Sequence, residues 1–392
     1  HCIYRVFIAE YFSRFITLKM NMSNVLLNKC VINCALVLSM IWGSICHAVV
    51  DSNTIKANKK TEINVGIYAP FSDKSAFIGR NILAAMEMAR DQFKSSQINY
   101  AFYTLDVLPS KGKVLPTLQK FIDAHHINVL ITEGTENGAL IAPLATQNNI
   151  LHFSMASDSS IADGINNFLA WSPAYEQAAV LIKELRRKKV KQIAIITTRQ
   201  PSFMVLTQSV MKQIQAHSTI KISAYQEVKA NETNFSGVIQ KMEEKNPDLY
   251  LIMASPEEIG LIHSQMLNIH VDKPITSIVD RVTPTVMRVF DGQWYIDAHE
   301  MKPEFIKRFK EEYFNHPVTE AGYAYDVFQI LNKGITMAMK IKHEFSSEEV
   351  ARQIHSLAKG VGVMGPFSLG AKGVLLTQSE IKTIRNGQVL TG

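Results

Sequence analysis

Two short patterns contain residue types that could hold a cofactor or a metal. Gly360-x-Gly-x-x-Gly365 formally matches the glycine fingerprint that binds a dinucleotide. It follows a predicted helix rather than a strand, so we interpret it as a flexible connecting segment. The adjacent pair His125 and His126 closes another predicted helix. Cationic side chains suit the negative end of a helix dipole, and two histidines alone make a poor metal site. The sequence therefore predicts neither a cofactor nor a metal.

Motifs that position a nucleophile, a phosphate or a catalytic metal are absent from the sequence. It contains no G-x-S-x-G elbow, no Walker loop, no H-E-x-x-H helix and no EF-hand loop. No nucleophile and base stand in an arrangement that would support catalysis. We therefore predict that the protein is not an enzyme.

A polar loop near the start of the folded region is the first candidate for a binding rim. The apolar run at residues 63–68 ends at Pro70 and is followed by Ser72, Asp73, Lys74 and Ser75. From Gly79 onwards, apolar residues recur at helical spacing. Ligands of open α/β sheets bind beyond the carboxyl ends of the strands, so this loop could line a site. An ordinary strand-to-helix connection explains the same pattern.

Strands and helices alternate along most of the chain, which predicts an α/β fold. One block has strands at 63–68, 100–105, 128–132 and 151–154, separated by helices at 82–93, 114–124 and 139–147. An extended segment, 168–173, then leads to a second block with strands at 192–197, 220–227, 248–253 and 275–279. The helices of this block are predicted at 175–188, 204–216, 235–244 and 257–267, and three late helices at 303–314, 321–341 and 347–358. Such alternation indicates two Rossmann-like lobes, each with a parallel sheet flanked by helices.

Composition and charge indicate a globular protein with little affinity for nucleic acid. The 392 residues are 47% hydrophobic and 19% charged, with a formal net charge of +6. This charge is small and scattered, and its one dense run, residues 183–191, is typical of a solvated helix end. We therefore expect no nucleic-acid partner.

The N-terminal 48 residues have the parts of a secretory signal. We expect translation to start at Met20 or Met22, with Lys29 as the basic flank and 30–42 as a short apolar core. Ala48 is then placed before a cleavage site, so we predict export to the periplasm. All four cysteines precede this site, which leaves no disulfide or thiolate in the exported chain. An uncleaved anchor and a lipoprotein acylated at Cys46 are the alternatives.

Several stretches taken together resemble the type I periplasmic binding proteins of the leucine/isoleucine/valine (branched-chain amino acid) family. They are INVGIYAPFSDKSAFIGRNILAAMEMA from residue 63, ILHFSMASDS from 150, NFSGVIQKM from 234, YAYDVF from 323 and GPFS from 365. The resemblance implies two lobes joined by a three-segment hinge and closing on a small solute. It places lobe 1 at 61–171 plus 301–362 and lobe 2 at 172–300 plus 363–392, after the upstream segment 1–48. The crossings would lie at 170–173, 294–299 and 363–368.

The resemblance also implies a set of ligand-binding positions, and this sequence keeps only part of the family's pattern. Thr135 stands where a hydroxyl holds the ligand carboxylate, and Ala156 where a backbone carbonyl receives the ammonium. Asp280 stands near the acid that binds the ammonium. Other positions carry residues unlike those of the family. The full candidate set is Ile78, Thr135, Glu136, Ala156, Ser157, Asp158, Ser202, Phe203, Ser255, Asp280 and Glu320.

The departures suggest a hypothesis about the ligand. Aromatic positions of the family are taken by Ile78, Ser202 and Ser255, while Asp158, Asp280 and Glu320 add carboxylates, with Glu136 beside Thr135. A carboxylate would repel an α-carboxylate unless a cation intervened. We therefore expect an amino-acid-like ligand with a cationic part. The competing interpretation places these acids on the lobe rims, where they only assist closure.

The resulting functional prediction is an exported solute-binding protein that delivers its ligand to the membrane permease of an ABC importer. Domain closure around the ligand would be the mechanism, and no cofactor is implied. Two alternatives remain: a ligand sensor on the same scaffold, and a non-transport envelope scaffold or enzyme activator with a degenerate cleft.

Overall fold

Two parallel β-sheets, each flanked by helices, organise the part of the chain that the structure describes. The computed structural model describes residues 60–94, 97–217, 219–279 and 281–391. The predicted signal segment and its cleavage site lie outside these residues, as does Asp280.

The first sheet has five strands in the spatial order β2-β1-β3-β4-β5, and all neighbouring pairs are parallel. The strands are β1 (Thr61–Ala69), β2 (Ile98–Asp106), β3 (Val129–Glu133), β4 (Leu151–Met155) and β5 (Asn167–Leu169). The connecting helices are α1 (Ala76–Gln92), α2 (Lys111–His125) and α3 (Thr135–Gln147). β3 and β4 are buried almost throughout because helices cover both faces of the sheet.

The second sheet has four parallel strands in the order β7-β6-β8-β9. Its strands are β6 (Gln192–Thr198), β7 (Lys221–Val228), β8 (Leu249–Met253) and β9 (Ile275–Thr276). The helices around it are α4 (Ala174–Arg187), α5 (Pro201–His217), α6 (Ser236–Glu243), α7 (Pro256–Asn268) and α8 (Pro284–Val289). Next in the chain is β10 (Trp294–Ala298), which meets the segment after β9 through a bridge between Ile278 and Ile296.

The last third of the chain contributes to both lobes. Three helices pack on the first sheet: α9 (Pro303–Tyr313), α10 (Thr319–Lys342) and α11 (Ser347–Ser356). Five short strands complete two antiparallel sheets, one formed by β11, β12 and β13 and the other by β10, β14 and β15. These strands are β11 (Lys359–Gly362), β12 (Gly365–Leu369), β13 (Leu375–Thr377), β14 (Ser379–Arg385) and β15 (Gln388–Thr391).

The glycine pattern at residues 360–365 forms the tight hairpin between β11 and β12, with Gly365 at φ 85°. This positive φ is the reason why a glycine is needed at the turn. The pattern is therefore a hairpin feature and does not open a helix, as a dinucleotide fingerprint would.

Four helices begin three or more residues earlier than predicted: α1 at Ala76, α2 at Lys111, α3 at Thr135 and α5 at Pro201. In α1 and α3 a glycine, Gly79 or Gly138, lies inside the helix and before the predicted start. A glycine weakens a helix. Here close approach requires it, since a Cβ on Gly79 would collide with the Pro70 carbonyl and one on Gly138 with the Ser154 hydroxyl.

The hydrophobic cores show where the chain passes between the lobes. At the first crossing, Trp171 packs in the core of the first lobe and Ala174 in that of the second. At the second crossing, Tyr295 packs in the core of the second lobe, and Met301 contacts that of the first. The lobe boundaries predicted near these two crossings remain predictions.

Residues in and after the segment predicted as the third crossing, 363–368, pack with the first core. Met364 and Leu375 pack in the first core, and Val374 forms a bridge with Leu169 of β5. The buried Asp326 carboxylate of α10 accepts hydrogen bonds from the backbone N–H groups of Val363 (2.6 Å) and Met364 (2.9 Å). The segment 363–377 therefore packs with the first lobe, whereas β14 pairs with β10. The crossing at 363–368 remains a prediction.

Candidate functional site

A cavity of about 100 Å³ lies between the two lobes at the carboxyl ends of β3 and β4. Six of the predicted positions line it, and they come from both lobes. The predicted residues in the lining are Thr135, Ala156, Ser157, Ser202 and Phe203, together with Glu320 as a sixth. The residues that the sequence analysis did not assign are Glu133, Gly134, Met155, Trp171, Gln177, Leu206 and Ile278.

The loop between β3 and α3 lines this cavity at the N-terminus of α3. Gly134, at φ 90°, is the N-cap of α3 and has no side chain to bond the first N–H groups of the helix. Its own N–H donates to the Met155 carbonyl of β4 at 3.1 Å, which ties the loop to the sheet. The N-terminus of a helix has unsatisfied donors and the positive end of the dipole, so this arrangement favours an anionic group.

Thr135 adds a hydroxyl at the same point. Its Oγ1 accepts a hydrogen bond from the Ser157 backbone N–H at 3.2 Å, which links the loops after β3 and β4. A hydroxyl can accept and donate at once, so the Thr135 proton can serve a ligand oxygen. The Ser157 carbonyl accepts from the N–H of Ala174 at 2.9 Å, where α4 of the second lobe begins. The two loops and α4 thus form one connected frame.

Apolar and polar side chains share the remaining wall. Phe203 and Leu206 come from α5, Ile278 follows β9, and Trp171 lies in the first crossing. The Trp171 ring packs on the buried ring of Tyr323, with 4.4 Å between centroids. Burial raises the pKa of the Tyr323 hydroxyl, which therefore stays neutral. The cavity combines one anion-favouring end with walls suited to a small apolar body.

An ion pair between the lobes closes another side of the cavity. Glu320, in the first turn of α10, has its Oε1 at 2.5 Å from Nη2 of Arg281, which follows β9. The side chain of Glu320 is only 5% exposed and that of Arg281 is 23% exposed. The Arg281 guanidinium also lies 5.3 Å from the ring centroid of Phe77 in α1. The predicted cleft acid is thus neutralised by a cation of the protein itself.

Two other predicted acids have partners away from the cavity. Glu136 forms an ion pair with Lys111 at the start of α2. The Asp158 carboxylate accepts the Ser160 N–H at 2.9 Å and caps the short 3₁₀ turn Ser159–Ile161. Neither residue contributes to the cavity lining.

The structure places two further predicted residues outside the lining. Ile78 is buried in the core of the first lobe, on the face of α1 that packs against the sheet. Ser255 is the N-cap of α7, where it forms a capping box with Glu258. Both residues therefore have structural roles in their helices.

Sequence reasoning could have found some of the unassigned residues. Leu206 lies one helical turn after Phe203 and hence on the same face of α5. Trp171 lies in a predicted crossing, which must run beside the cleft. Ile278 has no such signal, because β9 is too short to define a register.

A buried histidine lies within β4 close to this frame. His152 Nδ1 is 2.8 Å from Asn167 Oδ1, and its Nε2 is 2.7 Å from Thr132 Oγ1. The Asn167 oxygen can only accept, so Nδ1 carries the proton and Nε2 accepts from the threonine. Burial lowers the pKa of His152 to about 4, so the ring is neutral near pH 7.

The residues that the structure describes include neither a metal-binding cluster nor a membrane-spanning helix. No group of three or more His, Cys, Asp or Glu among them could hold a metal ion. Within the same residues, no helix combines the length and the apolar character needed to span a membrane.

Comparison with known proteins agrees with this architecture. A family model described as periplasmic binding protein matches residues 62–383. The structure is similar to the leucine-binding protein LivK from Thermotoga maritima, with 17% identity, a TM-score of 0.71, and 84% of this chain and 97% of that chain covered. It is also similar to the branched-chain amino acid protein LivJ from Streptococcus pneumoniae in complex with isoleucine, with 18% identity, a TM-score of 0.70, and 84% and 100% covered.

A third similar structure holds a different kind of ligand. It is a solute-binding protein from R. palustris in complex with benzoate, with 15% identity, a TM-score of 0.71, and 84% of this chain and 95% of that chain covered. No curated protein matches the chain. The resemblance and the two-lobed fold predicted from the sequence are confirmed. The family match over most of the chain, together with two parallel-sheet lobes around a cleft, shows that the chain belongs to the periplasmic binding protein family.

Proposed function

We propose that this protein captures a small carboxylic acid with a compact apolar body, such as an aliphatic α-amino acid, and delivers it to an ABC importer. The observation that carries the proposal is the uncapped N-terminus of α3, with the Thr135 hydroxyl, at one end of a cavity whose remaining wall is partly apolar. A carboxylate there would gain hydrogen bonds and the favourable end of the helix dipole.

The sequence-based expectation that the ligand has a cationic part loses most of its support. Glu136 is paired with Lys111, Asp158 caps a turn, and Glu320 is paired with Arg281. The Ala156 carbonyl remains available as the predicted acceptor for an α-ammonium. Isoleucine and benzoate, bound by two similar structures, share a carboxylate on an apolar body, which agrees with the proposed ligand class.

Thermal unfolding with three sets of compounds tests this proposal. One set contains aliphatic α-amino acids, the second contains carboxylic acids without an ammonium, and the third contains amines and amides without a carboxylate. A ligand that binds only the folded state at a hundredfold excess over its Kd adds about 2.7 kcal/mol to the free energy of unfolding. We expect stabilisation by members of the first set, and by the second set as well if the ammonium is dispensable.

Stabilisation confined to the third set would contradict the proposed ligand class. A stabilising compound would then be used in an uptake assay, in cells with and without the gene. Loss of uptake is expected for a transport component. Unchanged uptake would favour the sensor or scaffold alternatives.

A further inference from the structure

A second cavity, of about 450 Å³, lies beside the first one, and the Arg281–Glu320 ion pair stands between them. Glu320 lines the smaller cavity, whereas its neighbour Thr319 lines the larger. In the other lobe, Ile278 lines the smaller cavity and Arg281 the larger. The pair therefore occupies the boundary between the two spaces.

The wall of the larger cavity is partly apolar and partly polar. Met301, Met364 and Val389 form part of it, and exposed polar residues such as Glu300 also line it. The Lys382 and Asp297 side chains line it too, and their ion pair at 2.9 Å satisfies both charges within the protein. An alkyl chain entering this space could therefore contact methionine and valine without disrupting that pair.

The ion pair is held in place from both lobes. Glu320 is buried in the first lobe, and Arg281 reaches it from the second lobe while packing over the Phe77 ring. A guanidinium that contacts a carboxylate and an aromatic face together has few alternative positions. Moving it would also leave the Glu320 charge in a site with little solvent.

We infer that the Arg281–Glu320 pair is a specificity-determining partition that limits the length of the ligand. This inference rests on the proposed function and deepens it. A ligand with its carboxylate at the N-terminus of α3 can extend only as far as this pair. If the pair were replaced by small side chains, the ligand could continue into the larger cavity.

Two double variants separate the volume of the pair from its charge. Arg281→Ala with Glu320→Ala removes both the charge and the bulk. Arg281→Met with Glu320→Gln removes the charge but retains most of the bulk, and it serves as the matched control. Circular dichroism and thermal unfolding establish that each variant is folded.

The affinities are measured by calorimetry with unbranched α-amino acids from alanine to 2-aminooctanoic acid, and with the matching unbranched carboxylic acids. The wild type should gain affinity with each methylene up to a limiting length and then lose it. The double alanine variant should continue to gain, by about fourfold for each added methylene that is buried. The Met/Gln variant should keep the length limit of the wild type.

Two outcomes of the titrations would overturn the inference. One is a double alanine variant that keeps the wild-type limit. The other is a Met/Gln variant that extends the limit equally, since charge and not volume would then be responsible.

A crystal structure of the double alanine variant decides the inference without any ligand. One continuous cavity is expected, and two cavities that remain separate would overturn it. If no compound of either series stabilises the wild type, the proposed ligand class is wrong, and the crystal structure still decides whether the pair is a partition. The two failures are therefore distinguishable.

Discussion

Thr135 is the single residue on which the proposed ligand contact most depends. Its hydroxyl joins the loops after β3 and β4 through Ser157 and stands at the N-terminus of α3. The resemblance to the binding-protein family marked this position, and the structure places it in the cavity lining.

Thr135→Val should weaken binding of a carboxylate ligand by roughly 10- to 100-fold, because a hydrogen bond to a charged group is lost. Thr135→Ser keeps the hydroxyl and should stay within a few-fold of the wild type. Calorimetric titration with the best ligand of the panel provides the measurement, and unfolding without ligand separates any loss of stability. Equal affinity of the valine and serine variants would exclude Thr135 as a ligand contact.

His152 gives the first lobe a pH dependence of predictable sign. The folded pKa of about 4 lies below the ordinary histidine pKa of 6.5, so between these values the unfolded state binds more protons than the folded one. The contribution of His152 to the free energy of unfolding is therefore complete above pH 6.5. It decreases as the pH falls below that value and is lost below about pH 4. The shift corresponds to a loss of roughly 3 kcal/mol.

We expect His152→Gln to remove this part of the pH dependence, since glutamine does not titrate. Urea unfolding at pH 7 and at pH 4 measures the free energy of unfolding of both proteins. The difference between the two pH values should be smaller in the variant by roughly 3 kcal/mol. An unchanged difference would show that the decline arises from other groups, such as Asp163, whose folded pKa lies below its usual value.

Elements rather than single residues explain why some predicted site positions lie elsewhere. Ser255 follows β8, as Thr135 follows β3, but it is absorbed into the start of α7. Its backbone N–H donates to Glu258 at 3.0 Å, and its hydroxyl accepts from the Glu258 N–H at 3.3 Å. A serine committed to a capping box satisfies the donors that a ligand would otherwise use.

Ser255→Ala should therefore lower the free energy of unfolding by about 1 kcal/mol and leave ligand affinity unchanged. Ser346→Ala is the matched control, because Ser346 is the N-cap of α11 and its hydroxyl accepts from the Glu349 N–H. Chemical denaturation and titration of both variants provide the comparison. Weaker binding in Ser255→Ala alone would restore Ser255 as a ligand position.

At the scale of the whole molecule, a buried ion pair joins two neighbouring strands of one antiparallel sheet. Asp297 is on β10 and Lys382 is on β14, 85 residues later in the chain. Both side chains are almost fully buried, and the Lys382 Nζ lies 2.9 Å from the Asp297 Oδ2. This contact ties the C-terminal strands to the segment in which the second crossing is predicted.

Lys382→Met should lower the free energy of unfolding by roughly 3–5 kcal/mol, because it leaves the buried Asp297 carboxylate without its cation. Adding Asp297→Asn should recover a large part of that loss. Urea unfolding of the single and double variants forms the test. A single variant close to the wild type would mean that water reaches Asp297 and that the pair contributes little.

The sequence by itself determined the class of fold and most of its elements. The buried runs of β1, β3 and β6 and the helices between them are recognisable because apolar periodicity is a local property. The motifs that resemble the family marked the first-lobe positions Thr135, Ala156 and Ser157, since these directly follow strands whose ends meet at one edge of the sheet. The starts of α1 and α3 were not predicted, because the glycines inside these helices are required by close contacts with other segments of the chain.

Only the tertiary structure decided which polar groups face a ligand and which are satisfied within the protein. Arg281 and Glu320 are 39 residues apart and belong to different lobes, so no local pattern links them. Likewise, the bridge between Val374 and Leu169 joins segments that are remote in sequence. Side-chain pairing depends on the packing of elements that are remote in sequence, whereas periodicity depends only on neighbours. For this reason the fold could be predicted from the sequence, and the partners of the acidic residues could not.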